Sequence, residues 1–208
     1  MILLNNRDFQ KTLLNIEHFC LHYGDDNRYE LIDGELIDLE PTGIHEEIAA
    51  FITLKLCAQI DTANFPWFIL QRGLLRPSST IMTAFRPDVM VVDRLALIEE
   101  TLWPEQSILT LGSSIRLIAE VVSGNWQNDY ARKVEDYATL GIPEYWIVDH
   151  GGLGGTRYIG RPKQPTLTIC QLVDGDYQMQ LLRGDDPIIS SQFPDLNLTA
   201  GQVLAYGQ

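Results

Sequence analysis

The sequence predicts an α/β (α+β) protein in which helices pack on one mixed β-sheet, and three observations predict it. Helical and strand periodicities alternate along the chain in the order helix, hairpin, helix, strands, helix, strand, hairpin, the pattern of a layered fold. Two near-continuous apolar runs, residues 115–122 and 145–149, read as strands covered on both faces. The 208 residues are 45% apolar and 21% charged, close to the globular average, which excludes disordered, fibrous and collagen-like chains. A chain of this length buries roughly 70% of its unfolded surface without disulfides or a structural metal.

Each element follows in order. Phe9, Leu13, Ile16, Phe19 and Cys20 recur at three-to-four-residue spacing and predict an amphipathic helix over residues 8–23. Residues 29–37 read as two short strands about Asp33-Gly34, a strong hairpin signal. After the break at Pro41-Thr42-Gly43, a second helix is predicted over residues 45–60, with Ile48, Ile52, Leu56 and Ile60 on one face. Strands are predicted over residues 67–75 and 87–92, and helical or irregular chain over 95–104. A helix over residues 128–140 has Asn128 as its predicted N-cap, Gly141 as its stop and Pro143 beyond. The glycine-rich residues 151–155 predict a flexible opening to the last third, where a second hairpin turns at Asp174-Gly175. One domain is expected, with an N-terminal helix in residues 1–24, a core in 25–150 and a hairpin extension in 151–208.

The charge narrows the function. Net charge is −13, and residues 1–50 alone carry 3 basic and 11 acidic side chains. Such a surface repels phosphate backbones at long range, which argues against a duplex coater held on by lysines. It is compatible with carboxylates gathered for a divalent cation. Three unpaired cysteines without a CxxC pair, and a start lacking a signal peptide or an apolar run long enough to span a membrane, predict a reducing cytoplasm.

Three pieces could carry chemistry. Asp88 opens a strand in Arg86-Pro87-Asp88, and Glu120 sits inside an apolar run, where an ionised carboxylate is costly unless it is paired or metal-bound. Acids on neighbouring strands suit magnesium or manganese rather than zinc. Lys133 lies four residues after Asp129 and four before Tyr137, so the three share a helix face. The plainer reading of each is a turn aspartate, a paired core acid and a surface Asp129–Lys133 pair. Glu30 in the first hairpin and His45 at the start of the second helix are weaker candidates: Glu30 can equally be solvated, and a lone histidine at a helix start is more often a cap or surface group than a catalyst.

In order, Tyr29-Glu30-Leu31-Ile32-Asp33-Gly34, His45-Glu46-Glu47-Ile48, Arg86-Pro87-Asp88-Val89, Ala119-Glu120-Val121-Val122-Ser123, Lys133 to Tyr137, and Gly141-Ile142-Pro143-Glu144-Tyr145-Trp146 form a string that resembles the putative restriction endonuclease family of the PD-(D/E)XK nuclease superfamily. The resemblance covers about residues 25–205. It implies a restriction-endonuclease-like core and Mg²⁺- or Mn²⁺-dependent cleavage of DNA that leaves 5′-phosphates. Asp88 matches the motif aspartate and Glu120 the second acid. The superfamily lysine, two residues after that acid, is replaced by Val122, and Lys133 is the matching position. Metal ligation by Asp88, Glu120, the Val121 carbonyl and Glu30 is implied, with His45 near the same site. A homodimer is expected, because cutting both strands takes two sites about a two-fold axis. The alternative from another class is a catalytically silent nuclease-fold module that binds other proteins. A two-carboxylate glycosidase is a distant third.

Overall fold

The computed structural model describes residues 13–207 except 72 and 79. Helix α1 is Ile16–Tyr23, entered from Asn15, whose side chain accepts a hydrogen bond from His18 N. The cap starts the helix eight residues later than the apolar spacing predicts, and Leu13 is exposed; Phe9 lies outside the described residues. Strands β1 (Tyr29–Ile32) and β2 (Glu35–Asp38) pair antiparallel about Asp33-Gly34. Both turn residues have positive φ (51° and 82°), the conformation that Asp-Gly hairpin turns require. Helix α2 is Gly43–Ala63, with Thr42 capping His45 N and Ile48, Ile52 and Leu56 buried.

The apolar run predicted as one strand over residues 67–75 divides into β3 (Trp67–Leu70) and β4 (Leu74–Leu75), which belong to different sheets. The division falls at Gly73, where a Cβ would come 2.1 Å from Leu70 Cδ2. Then follow β5 (Val89–Asp93), α3 (Trp103–Gln106), β6 (Ile108–Leu109) and β7 (Ile115–Val121). The next helix is not capped by Asn128. The chain is already helical at Gln127, passes through a π-helical stretch at Asn128–Arg132 and continues as α4 (Lys133–Thr139). Strand β8 is Glu144–Asp149, α5 is Thr156–Ile159, β9 is Thr166–Val173, β10 is Asp176–Leu182 and α6 is Ala200–Leu204. The glycine-rich segment before α5 is tied down, since the buried Asp149 carboxylate accepts from Leu153 N and Gly154 N, each at 2.8 Å.

The main sheet has the order β10-β9-β8-β7-β5-β3. Only β7 and β8 are parallel, joined across the helical segment that ends in α4; the other pairings are antiparallel. The C-terminal hairpin therefore extends the main sheet through β8. Helices α2 and α6 bury Ile48, Ile52, Leu56, Val203 and Leu204 on one face against Val91, Leu117, Ala119 and Trp146. Tyr130 and Tyr137 cover the other face with Ile118, Val122 and Ile147. Val89 stands opposite Ala119 in the β5–β7 register, so the start of β5 meets the C-terminal end of β7. That meeting point carries the acids. Among the described residues no helix is long and apolar enough to cross a membrane.

Candidate active site

Glu30, His45, Asp88, Glu120, Val121 and Lys133, all singled out in the sequence, line one cavity of about 490 Å³. The sheet places two of them directly. Asp88 precedes β5 and accepts a hydrogen bond from Val121 N at 2.8 Å through Oδ2, the oxygen that His45 Nε2 approaches to 3.1 Å. Glu120 points to the α4 side of β7, where Tyr137 Oη donates to its Oε1 at 2.8 Å.

Lys133 is buried and lies 3.1 Å from Glu120 Oε1, 3.3 Å from Asp129 Oδ1 and 3.5 Å from Glu30 Oε1. Three acceptors match the three donors of an ammonium. The Asp129–Lys133 pair is thus interior, where spacing alone allowed a solvated one. Glu30, a buried strand residue, also accepts from Arg86 N at 3.3 Å. Arg86 itself turns away from the cluster and donates to the carbonyls of Gly24 and Tyr29, tying the end of α1 to β1.

Asp129 and Tyr137 are the site residues that sequence reasoning did not assign. The π-helical stretch explains why Asp129 fits there. Lys133 N–H donates to Asn128 O, five residues back, instead of to the carbonyl of Asp129. That freed carbonyl accepts from Tyr145 Oη at 3.0 Å, so the local irregularity leaves no orphaned acceptor. π-Bulges concentrate at functional sites. The spacing of 129, 133 and 137 was the available signal; the π turn has no sequence signature.

Burial raises the carboxyl of Glu30 and pushes that of Glu120 well above the usual range, with the Lys133 charge opposing both. Asp129 is pushed up to about 6, again by burial first, against the Lys133 charge. Burial would lower Lys133, but the surrounding charges of Glu120, Glu30, Asp129 and Asp88 outweigh it and hold the ammonium charged. Burial also works against protonated His45, yet its hydrogen bond to Asp88 leaves its pKa raised. The cavity thus gathers more negative groups than Lys133 balances.

The Uma2 family, described as a putative restriction endonuclease, matches residues 16–201. The chain belongs to this family. A solved structure of similar fold is a putative nuclease belonging to DUF820 from Anabaena variabilis, with a TM-score of 0.70 over 94% of this chain and 99% of that chain. The two are 13% identical, so the likeness is one of fold. No curated protein matches the chain. The mixed sheet flanked by helices that the sequence predicts is therefore also the fold of that solved putative nuclease.

The donor set bears on whether this Uma2 chain suits a metal. Among the described residues, no three His, Cys, Asp or Glu side chains stand close enough to form a ready-made site. Hydrogen bonds and ion pairs fall on Asp88 Oδ2 and Glu120 Oε1, so the second oxygen of each carboxylate keeps its acceptor capacity. Magnesium is commonly held by one or two carboxylates with waters completing its shell. The residues fit such a cation, and an all-oxygen donor set does not favour zinc.

Proposed function

We propose that the chain is a divalent-metal-dependent endonuclease that hydrolyses DNA phosphodiester bonds, with Mg²⁺ or Mn²⁺ as the cation. The observation that carries this reading is the convergence of Asp88, Glu120 and Lys133 from β5, β7 and α4 on one cavity. Asp88 and Glu120 would hold the cation with the Val121 carbonyl, and Glu30 would complete the shell directly or through water. The chemistry that a bound cation supplies there is polarisation of the phosphoryl group and of water. Lys133, fixed by three carboxylates, orients the attacking water or stabilises charge developing on the phosphate. His45 sets the rotamer of Asp88 through the 3.1 Å contact. A homodimer is the assembly that double-strand cutting calls for.

Plasmid nicking in Mg²⁺ tests the reading. Asp88→Ala and Glu120→Ala should each abolish metal-dependent nicking while circular dichroism shows an intact fold. Full activity in either variant refutes the site. No metal-dependent nicking by the unsubstituted chain refutes the enzyme and returns the chain to the protein-binding class.

A further inference from the structure

The lysine and arginine side chains among the described residues lining the cavity are Arg28, Arg86 and Lys133. Two of them are committed inside the protein. Lys133 has three buried acceptors, and Arg86 braces backbone carbonyls. Arg28 differs. It stands just before β1 at the mouth, with Nη2 2.7 Å from Asp38 Oδ2 and 3.0 Å from Glu40 Oε2. Its Nε also donates to both Asp38 oxygens, at 2.9 and 3.1 Å. The three side chains are 45%, 43% and 73% exposed, so water screens the pairs and they contribute little net stability.

A nucleic-acid strand approaching this mouth meets Asp38, Glu40 and Glu46 on the wall, and among the described residues lining it no exposed lysine row offsets them. The guanidinium fork that grips Asp38 in two-point fashion suits the two free oxygens of a phosphodiester equally well. Both ligands present planar-spaced anionic oxygens, and exchanging one for the other leaves Arg28 paired throughout. The acidic partners hold the guanidinium in place before substrate arrives.

We propose that Arg28 is a phosphate clamp that exchanges Asp38 and Glu40 for a phosphodiester neighbouring the one to be cut. This rests on the nuclease reading above and names how its substrate is gripped. One exchangeable cation among the described residues lining the cavity means contact with few phosphates there, so the salt dependence of binding is shallow. Each phosphate neutralised on a single strand contributes a slope of about −0.7 in log K against log salt.

The experiment measures binding of a fluorescein-labelled single-stranded oligonucleotide by anisotropy over a range of salt, in Ca²⁺ in place of Mg²⁺, a cation that takes the same oxygen ligands, with the oligonucleotide checked on a gel to be uncut. Arg28→Ala should weaken binding by about tenfold and flatten the slope by about 0.7. Arg28→Lys should restore the slope but only part of the affinity, since the charge returns without the fork. Asp38→Asn with Glu40→Gln should tighten binding while Arg28 is present and do little in the Arg28→Ala background. Equal tightening in both backgrounds would show a bulk charge effect and overturn the exchange. Unchanged affinity and slope in Arg28→Ala, or no binding by the chain that retains Arg28, overturns the clamp. Cleavage by the unsubstituted chain is read separately: its absence refutes the nuclease while the binding series still decides Arg28.

Discussion

Replacing Asp129 with Asn in the metal-free protein should stabilise it, and by an amount that depends on pH. Asp129 is 7% exposed, and its carboxyl is pushed from 3.8 up to about 6, by burial first and then by the charges of Glu30 and Asp88 against that of Lys133. At 1.36 kcal/mol per pH unit, a rise of this size is worth about 3 kcal/mol. The folded state holds the proton more tightly than the unfolded chain. The favourable contribution is therefore complete below about pH 4 and is lost as pH rises through about 6. Asn cannot ionise, and its side-chain oxygen still accepts from Lys133, which also keeps Glu120 at 3.1 Å and Glu30 at 3.5 Å. Urea unfolding in EDTA, compared at pH 4 and pH 7, should show the stability of Asp129→Asn rising relative to wild type by about 3 kcal/mol. A difference between the two proteins that does not change with pH would refute the charge crowding inferred for the cavity.

Three other outcomes are expected. Lys133→Ala should leave Mn²⁺ affinity nearly intact by calorimetry but slow plasmid cleavage by ~10²-fold, with poor rescue by Lys133→Arg; a wild-type rate would remove the lysine from the mechanism. Mg²⁺ should raise the melting temperature of wild type more than that of Glu120→Gln, and equal shifts would place the cation elsewhere on the acidic surface. Glu144, fully buried, accepts from Trp146 Nε1, Ser191 N, Ser191 Oγ and Gln192 N. Glu144→Ala should cost about 3 kcal/mol or more in urea unfolding by orphaning those donors, and a loss below about 1 kcal/mol would mean that water replaces the carboxylate.

What could be read from the sequence was what local chemistry dictates. Asp33-Gly34 and Asp174-Gly175 announce turns because both positions need positive φ, and the runs ending at Val121 and Asp149 announce central strands because both faces are covered. Glu120 stood out because an acid within such a run demands a partner. The division of β3 from β4 was hidden: it depends on the close approach of Gly73 to Leu70, and apolar periodicity carries no such information. The apolar spacing runs past the start of α1 because Leu13 continues it, whereas the Asn15 cap decides where the helix starts. Asp129 was ambiguous for a deeper reason. An i, i+4 Asp–Lys pair reads the same on a solvated face and a buried one, and only the packing of α4 over β7 distinguishes them.

The same packing bears on why a valine can occupy the position where the superfamily motif has its lysine. Val122 is 1% exposed, continues the β7–β8 ladder by donating to Val148 O at 3.0 Å, and packs with Tyr130, Tyr137 and Ile147. A lysine there would have to drive its stem through that cluster, and overpacking of this kind costs about 1–3 kcal/mol. From α4, Lys133 reaches the same acid without crossing the core, because the helix lies over the face to which Glu120 points. Its ammonium then satisfies all three donors on Glu120, Asp129 and Glu30, while Asp88 is engaged separately by Val121 N and His45. The negative groups are thereby divided: Glu120, Asp129 and Glu30 share the helix-borne amine, and Asp88 is held apart from it. A strand-borne lysine would neutralise Glu120 as well, but it would leave Asp129 and Glu30 buried without their cation, which is the costlier arrangement.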